Sequence, residues 1–395
     1  MTRQKSILPE KRKVDDKPVV YIFPESPDRF TALSQDEFEP ATESSNAMEL
    51  YRSLRDRMRV GQELKSIREV MLSPEFIVKN ALGGRGPFNE GDFLGGGWGA
   101  YGTDKWVKKW DVGSQVAKEA SREEGNLFFL SDTDFTLVPF ADAAKLMAEK
   151  NNPEAKVGAF ILDAHADVFP AGSLGKSAAL GFELGFFGKI GEACEDLDDV
   201  PMIHVEPALS FATIIGLPGE MSHDRKIGDR VETVTSISNA PELIFENDIL
   251  AFSERQYFTG GNPDPMKLGE CAEKAVNAMT VAGVTNMIFN VDVDVLRRTG
   301  YYGFEYSLDK PSYKGGDYRG LDGMQAISVL KQACRLAHEK GIEVGVPTRS
   351  GRMVTNITEY IPEYDAGETG DFIKRMIKVV NGEVSMLYGR SKQSV

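Results

Sequence analysis

Asp163, His165 and Asp167 occupy alternate positions in the stretch Asp163-Ala164-His165-Ala166-Asp167, within the apolar run 156–168. A second alternating pair, Asp292 and Asp294, ends the apolar run 287–295. Side chains alternate faces along a strand, so each set projects to one side if its strand end stays extended. Four carboxylates and one imidazole make a donor set for a divalent ion: Mn2+ for its affinity for oxygen, or Ni2+ for its affinity for imidazole. A lone D-x-D reads as a solvated strand cap; D-x-H-x-D and D-x-D on separate strand ends read as a metal site. Converging carboxylates repel one another, and a cation or a bound proton relieves the repulsion.

Elements that position these residues can be read from hydrophobic periodicity. From residue 112 onward the pattern predicts helices over 114–123, 141–150, 266–282, 321–340 and 370–380. Strands are predicted over 126–130, 157–163, 202–205, 249–252, 287–293 and 343–347, with a long glycine-containing loop after 202–205. Apolar strands alternating with amphipathic helices imply an α/β protein: a three-layer αβα sandwich with a mostly parallel sheet. Ligands of such sheets sit beyond the carboxyl ends of the strands, where both acidic clusters fall. Ahead of this core, residues 1–17 read as a polar arm, 18–23 as a short strand or extended arm, 24–45 as irregular chain and 46–71 as a helix. The chain thus divides into an N-terminal extension over 1–90 and an αβα domain over 91–395. The glycine-rich stretch 83–104 matches neither a dinucleotide fingerprint nor a P-loop and reads as a structural loop near a site mouth.

At 395 residues and 41% hydrophobic content, the chain can build a sizeable core. Its formal net charge of −14 disfavours nucleic acid and tolerates a small cationic ligand. Cys194, Cys271 and Cys334 are dispersed, which fits a reducing compartment rather than a disulfide framework; Cys334 falls in a helical pattern and reads as core. The N-terminus has no apolar signal region, and no run reaches the roughly 18 apolar residues of a membrane span, so a cytoplasmic location is expected.

Leu162–Asp167, LDAHAD, resembles the DAHxD motif of the ureohydrolase family of arginases, agmatinases and related guanidino hydrolases. NVDVDVL, 290–296, is similar to that family's S-x-D-x-D motif; GLDGMQAI, 320–327, stands where members read GLT-x-R-E-A-x; and FLSDTDF, 129–135, takes the place of GGDHS. The order and spacing agree from about residue 92 to 381. The resemblance implies an arginase-like αβα fold, a two-metal centre and hydrolysis at a guanidinium carbon that yields urea, or an equivalent amide, and an amine. Two-metal centres lower the pKa of water and cluster positive charge near the developing tetrahedral carbon.

The chain departs from the family where catalysis needs help. Thr133 stands where the GGDHS histidine would bind metal, Gln325 where a glutamate meets the guanidinium, and Leu174 where many members carry a histidine. Phe169 replaces a frequent asparagine, and Arg297-Arg298 replace the usual Asp-Pro after D-x-D. His204, His223 and His338 read as ordinary surface or packing residues. These replacements leave three expectations. The first is a catalytically degenerate ureohydrolase subunit supporting an active paralogue in a trimeric or hexameric hetero-oligomer. The long N-terminal stretch resembles the group of guanidine hydrolase and the nickel-dependent metformin hydrolases, where two unlike subunits cooperate, and this chain matches the non-catalytic one. The second is an active hydrolase of a bulky, alkylated guanidine or amidine, with Asp163, His165, Asp167, Asp292 and Asp294 holding one or two ions. The third is a non-enzymatic binding or regulatory protein.

Overall fold

The computed structural model describes residues 18–23, 68–71, 116–131, 137–164, 208–217, 222–227, 230–235, 249–297, 320–360 and 367–389. In chain order the strands are β1 (Val19–Phe23), β2 (Arg68–Met71), β3 (Leu127–Ser131), β4 (Val157–Leu162), β5 (Phe211–Leu217), β6 (Ser222–Ile227), β7 (Arg230–Thr235) and β8 (Ile249–Ser253). They continue with β9 (Phe258–Thr259), β10 (Asn262–Pro263), β11 (Asn286–Asp292), β12 (Glu343–Val344), β13 (Val346–Pro347) and β14 (Arg352–Thr358). The helices are α1 (Leu137–Asn151), α2 (Glu254–Tyr257), α3 (Pro265–Val281), α4 (Gly323–Glu339) and α5 (Glu368–Tyr388), with a further helical stretch at 116–120.

A 10-stranded sheet runs β2-β1-β3-β14-β11-β4-β5-β8, with β12 beside β11 and β13 beside β14. Every pairing along that path is parallel; the short β13 runs antiparallel to β14. The central strands β3, β4 and β11 are buried at every position, as continuous apolar runs covered on both faces must be. Phe160, Leu162, Phe289 and Val291 pack on one face against α3, α4 and α5. Ala159, Ile161, Ile288 and Phe129 pack on the other against α1 and the 116–120 stretch. The αβα sandwich read from the sequence is therefore the observed architecture. Among the described residues no helix is long and apolar enough to cross a membrane.

Several local expectations change. Arg68–Met71, read as the end of a helix, is strand β2, and it pairs with β1 inside the sheet. Both strands belong to the stretch 1–90, so that stretch contributes directly to the sheet. The predicted strand 202–205 and the loop 83–104 lie outside the described residues; β5, read as part of a loop, and β14, assigned no element, are full strands. The predicted strand 343–347 breaks into β12 and β13 at Gly345, whose φ of 71° suits glycine alone. His223 lies on β6 rather than in a loop. Cys334 is core, as expected, and burial pushes its thiol up to about 12.

The path of the chain diverges at the sheet's carboxyl edge. Leaving β4 the chain continues to β5 on one side; leaving β11 it continues to β14 on the other. Because β4 and β11 are neighbours, their carboxyl ends flank a topological switch point, the place where open α/β sheets take ligands.

Candidate metal centre

Asp163, Asp292 and Asp294 meet at that switch point. One carboxylate oxygen from each lies within 4.8 Å of the others. The three residues are 3%, 1% and 2% exposed, so the like charges converge away from bulk water. Register brings the strands together: Leu162 of β4 stands opposite Val291 of β11, which sets Asp163 and Asp292 side by side just beyond.

The local geometry differs from the alternation read in the sequence. β4 closes at Leu162, and Asp163 extends its ladder by one bond, N–H to Ile215 O at 3.1 Å. β11 closes at Asp292, and Val293–Val295 form one turn of 3-10 helix. Asp292 is the N-cap of that turn, its Oδ1 accepting from Asp294 N–H at 2.7 Å. The turn, not strand alternation, swings Asp294 round beside Asp292. Asp294 Oδ1 in turn accepts from Ala164 N–H at 3.1 Å, tying the two strand ends together. His165, Asp167, Phe169, Leu174 and Thr133 lie outside the described residues.

Gly216 is a position packed against the candidate site that the sequence reading missed. It sits at a register shift in β5 with φ of 138°. A Cβ there would stand 2.2 Å from Asp163 O and 2.6 Å from Val295 Cγ2. Only glycine lets β5 bulge around the Asp163 backbone while the 3-10 turn packs from the other side. The available signal was a glycine inside the apolar run FATIIGL, which marks a bulge or a close backbone approach.

Gln325 is in the structure and is engaged. Leu321 pairs with the chain just past Asp294: Leu321 N–H donates to Val295 O, and Arg297 N–H to Leu321 O, both at 2.9 Å. α4 then starts with a capping box. Asp322 Oδ1 accepts from Met324 N–H at 2.9 Å, and Gln325 Oε1 accepts from Asp322 N–H at 2.9 Å. Gln325 Nε2 donates to Pro263 O at 3.3 Å, and Arg297 pairs with Asp322 at 2.6 Å. Both ends of the Gln325 amide thus fasten the start of a helix, and Arg297 is drawn to the same cap.

No family model and no curated protein matches the chain. Among solved structures it is similar to arginase from Bacillus cereus at 11% identity, with 93% of this chain and 99% of that one covered and a TM-score of 0.49. It is similar to Entamoeba histolytica arginase at 13% identity, covering 93% and 98%, with a TM-score of 0.48. Formimidoylglutamase from Bacillus subtilis gives 10% identity, 98% and 96% coverage and a TM-score of 0.45. Likenesses of this size carry no weight for the chemistry, which rests on the chain's own residues.

The donor set fits a hard divalent cation. It offers three buried carboxylate oxygens, with His165 and Asp167 following Asp163 in the chain. A cation among them offsets the mutual repulsion of three ionised groups at this separation.

Proposed function

We propose that this chain is a ureohydrolase-type subunit of an amidine hydrolase that cleaves C–N bonds of small cationic guanidino compounds. The observation that carries the reading is the convergence of Asp163, Asp292 and Asp294 at the switch point, from the two stretches that resemble DAHxD and S-x-D-x-D. With His165 and Asp167 these residues would hold Mn2+ or Ni2+. Bound there, a divalent ion would acidify water and stabilise charge developing at a guanidinium carbon. Ala164 N–H and Asp294 N–H fix the direction of the ligand oxygens before any ion arrives. The carboxylates also attract a cationic substrate to the switch point.

Gln325 favours a supporting role for this chain. A neutral amide already engaged at both ends provides no charge-assisted contact for a guanidinium. Under this reading the chain retains the fold and an ion site, and an active paralogue in a trimeric or hexameric hetero-oligomer performs the chemistry, as in metformin hydrolases. A second reading rests on the intact aspartate trio: the chain is active alone on an alkylated guanidine or amidine.

Purification alone and after co-expression with a paralogue bearing intact GGDHS, DAHxD and T-x-R-E motifs separates the two. The assay is urea, substituted urea or amine released from guanidine and from a metformin-type biguanide, together with metal content by mass spectrometry. The subunit reading expects turnover only from the co-purified complex; full turnover by the chain alone overturns it. Less than about one tightly held ion per chain counts against the second reading, whose chemistry needs its metal in place.

A further inference from the structure

The polar row at the carboxyl edge of the sheet continues past the aspartates. Asp292 stands in register with Thr358, the last residue of β14. One step deeper, Asn290 of β11 is in register with Asn356 of β14, and Asn356 Nδ2 donates to Asn290 Oδ1 at 2.9 Å. That bond places both asparagines on one face of the sheet. The period of two along a strand then puts Asp292 and Thr358 on the same face, one position nearer the edge. Neighbouring strands lie about 4.8 Å apart, so the Thr358 side chain stands directly beside that of Asp292.

Thr358 is 0% exposed, and among the described residues its Oγ1 has no hydrogen-bond partner. A buried hydroxyl left so is less favourable than a satisfied one. Valine has nearly the same shape without that penalty, so packing alone gives no reason for threonine. The position instead sets a hydroxyl donor next to a carboxylate that belongs to the candidate metal centre.

We propose that Thr358 is a positioning residue for the cation site. When Asp292 holds a divalent cation, rotation of χ1 turns the Thr358 hydroxyl to donate to the Asp292 carboxylate, and this fixes the direction of the ligand oxygen. The proposal rests on the reading of the aspartate trio as a cation site. Threonine reaches the necessary directions by moving between staggered rotamers, without backbone change. A hydroxyl bond to an ionised carboxylate is roughly twice as strong as one between neutral groups. Outer partners of ligating carboxylates change metal affinity by about 10- to 100-fold.

The test compares the full-length wild type with Thr358→Val and Thr358→Ser, each titrated with MnCl2 by calorimetry and by the electron paramagnetic resonance of free Mn2+. Metal-free melting temperatures are measured in parallel. Thr358→Val is expected to weaken Mn2+ binding by about 10- to 100-fold. It is expected to melt at or above the wild-type temperature without metal, while Thr358→Ser retains affinity within a few-fold. Unchanged Mn2+ affinity in Thr358→Val overturns the proposal and leaves the cation site standing. Equal weakening in Thr358→Ser and Thr358→Val, or a metal-free stability loss that accounts for the weakening, also overturns it by marking a packing role. A wild type that takes up no Mn2+ removes the cation-site reading and this inference with it.

Discussion

Two buried acidic regions of this molecule are built in opposite ways. Glu383 of α5, 7% exposed, receives two bonds of 3.0 Å from the Arg335 guanidinium and one contact of 3.1 Å from Lys331 Nζ, both on α4. Burial pushes its carboxyl up, but these cationic partners outweigh burial and hold it below the ordinary range. At the switch point, Asp163, Asp292 and Asp294 bring three like charges within 4.8 Å. Glu383 is a charge neutralised by its own fold, and it locks two helices together. The trio gathers three carboxyl groups at the topological switch point. A buried acidic residue is therefore read from its neighbours: cations neutralise its charge, whereas further carboxyl groups beside it strengthen the case for a ligand.

The contrast breaks most sharply at Asp292. Asp292→Asn keeps the Oδ1 acceptor of the 3-10 cap but removes a ligand charge. It should weaken Mn2+ uptake by more than about 100-fold, beyond the effect typical of outer-shell changes, with metal-free melting unchanged or raised. Equilibrium dialysis against Mn2+ and a thermal melt check this; undiminished uptake would remove Asp292 from the site. Gly216→Ala should be next in size. The backbone conformation alone costs about 1–3 kcal/mol, and the clash of a Cβ with Asp163 O adds to it. Urea midpoints should fall, and Mn2+ affinity should fall with them as Asp163 is displaced.

Glu383 supplies the contrasting case. Its folded pKa is depressed, so its stabilising contribution is present above the unfolded value near 4.5 and is lost as pH falls through the folded value. Glu383→Gln should lower stability at pH 7, show a flatter stability profile below about pH 4.5 and leave Mn2+ binding unchanged. Denaturant titrations at pH 7 and pH 3.5 measure the difference; a change in Mn2+ affinity would contradict the separation of the two regions. The smallest effect is expected for Gln325→Glu: glutamate also closes the capping box and suits a helix N-terminus, but it loses the Nε2–H bond to Pro263 O. A slight fall in melting temperature is expected, as the Pro263 carbonyl loses its donor. Guanidine-dependent urea release that appears in this variant alone would tie guanidine hydrolysis to the residue at position 325.

Much of the fold could be read from the sequence where patterns are local. The apolar runs of β4 and β11 and the periodicity of α3 and α4 come from burial on one or both sides of an element. β5 and β14 were missed although FATIIGL and RMVTNIT are strand-like, because Gly216 and the polar residues Thr355, Asn356 and Thr358 resemble loop chemistry. Asn356 is buried on its strand, where a partner on another strand, Asn290, makes it tolerable in a way local sequence does not reveal.

By itself the sequence singled out the candidate residues: the spacing of Asp163, His165 and Asp167, the Asp292/Asp294 pair, and the positions Thr133, Leu174 and Gln325. Tertiary structure alone decided that Asp163 meets Asp292 and Asp294, since strands 130 positions apart in the chain become neighbours only through a crossover. It also decided that a 3-10 turn rather than strand alternation aims Asp294, that Gly216 makes the room, and that Thr358 stands beside Asp292. Side-chain type is a local property, whereas convergence depends on register between distant strands.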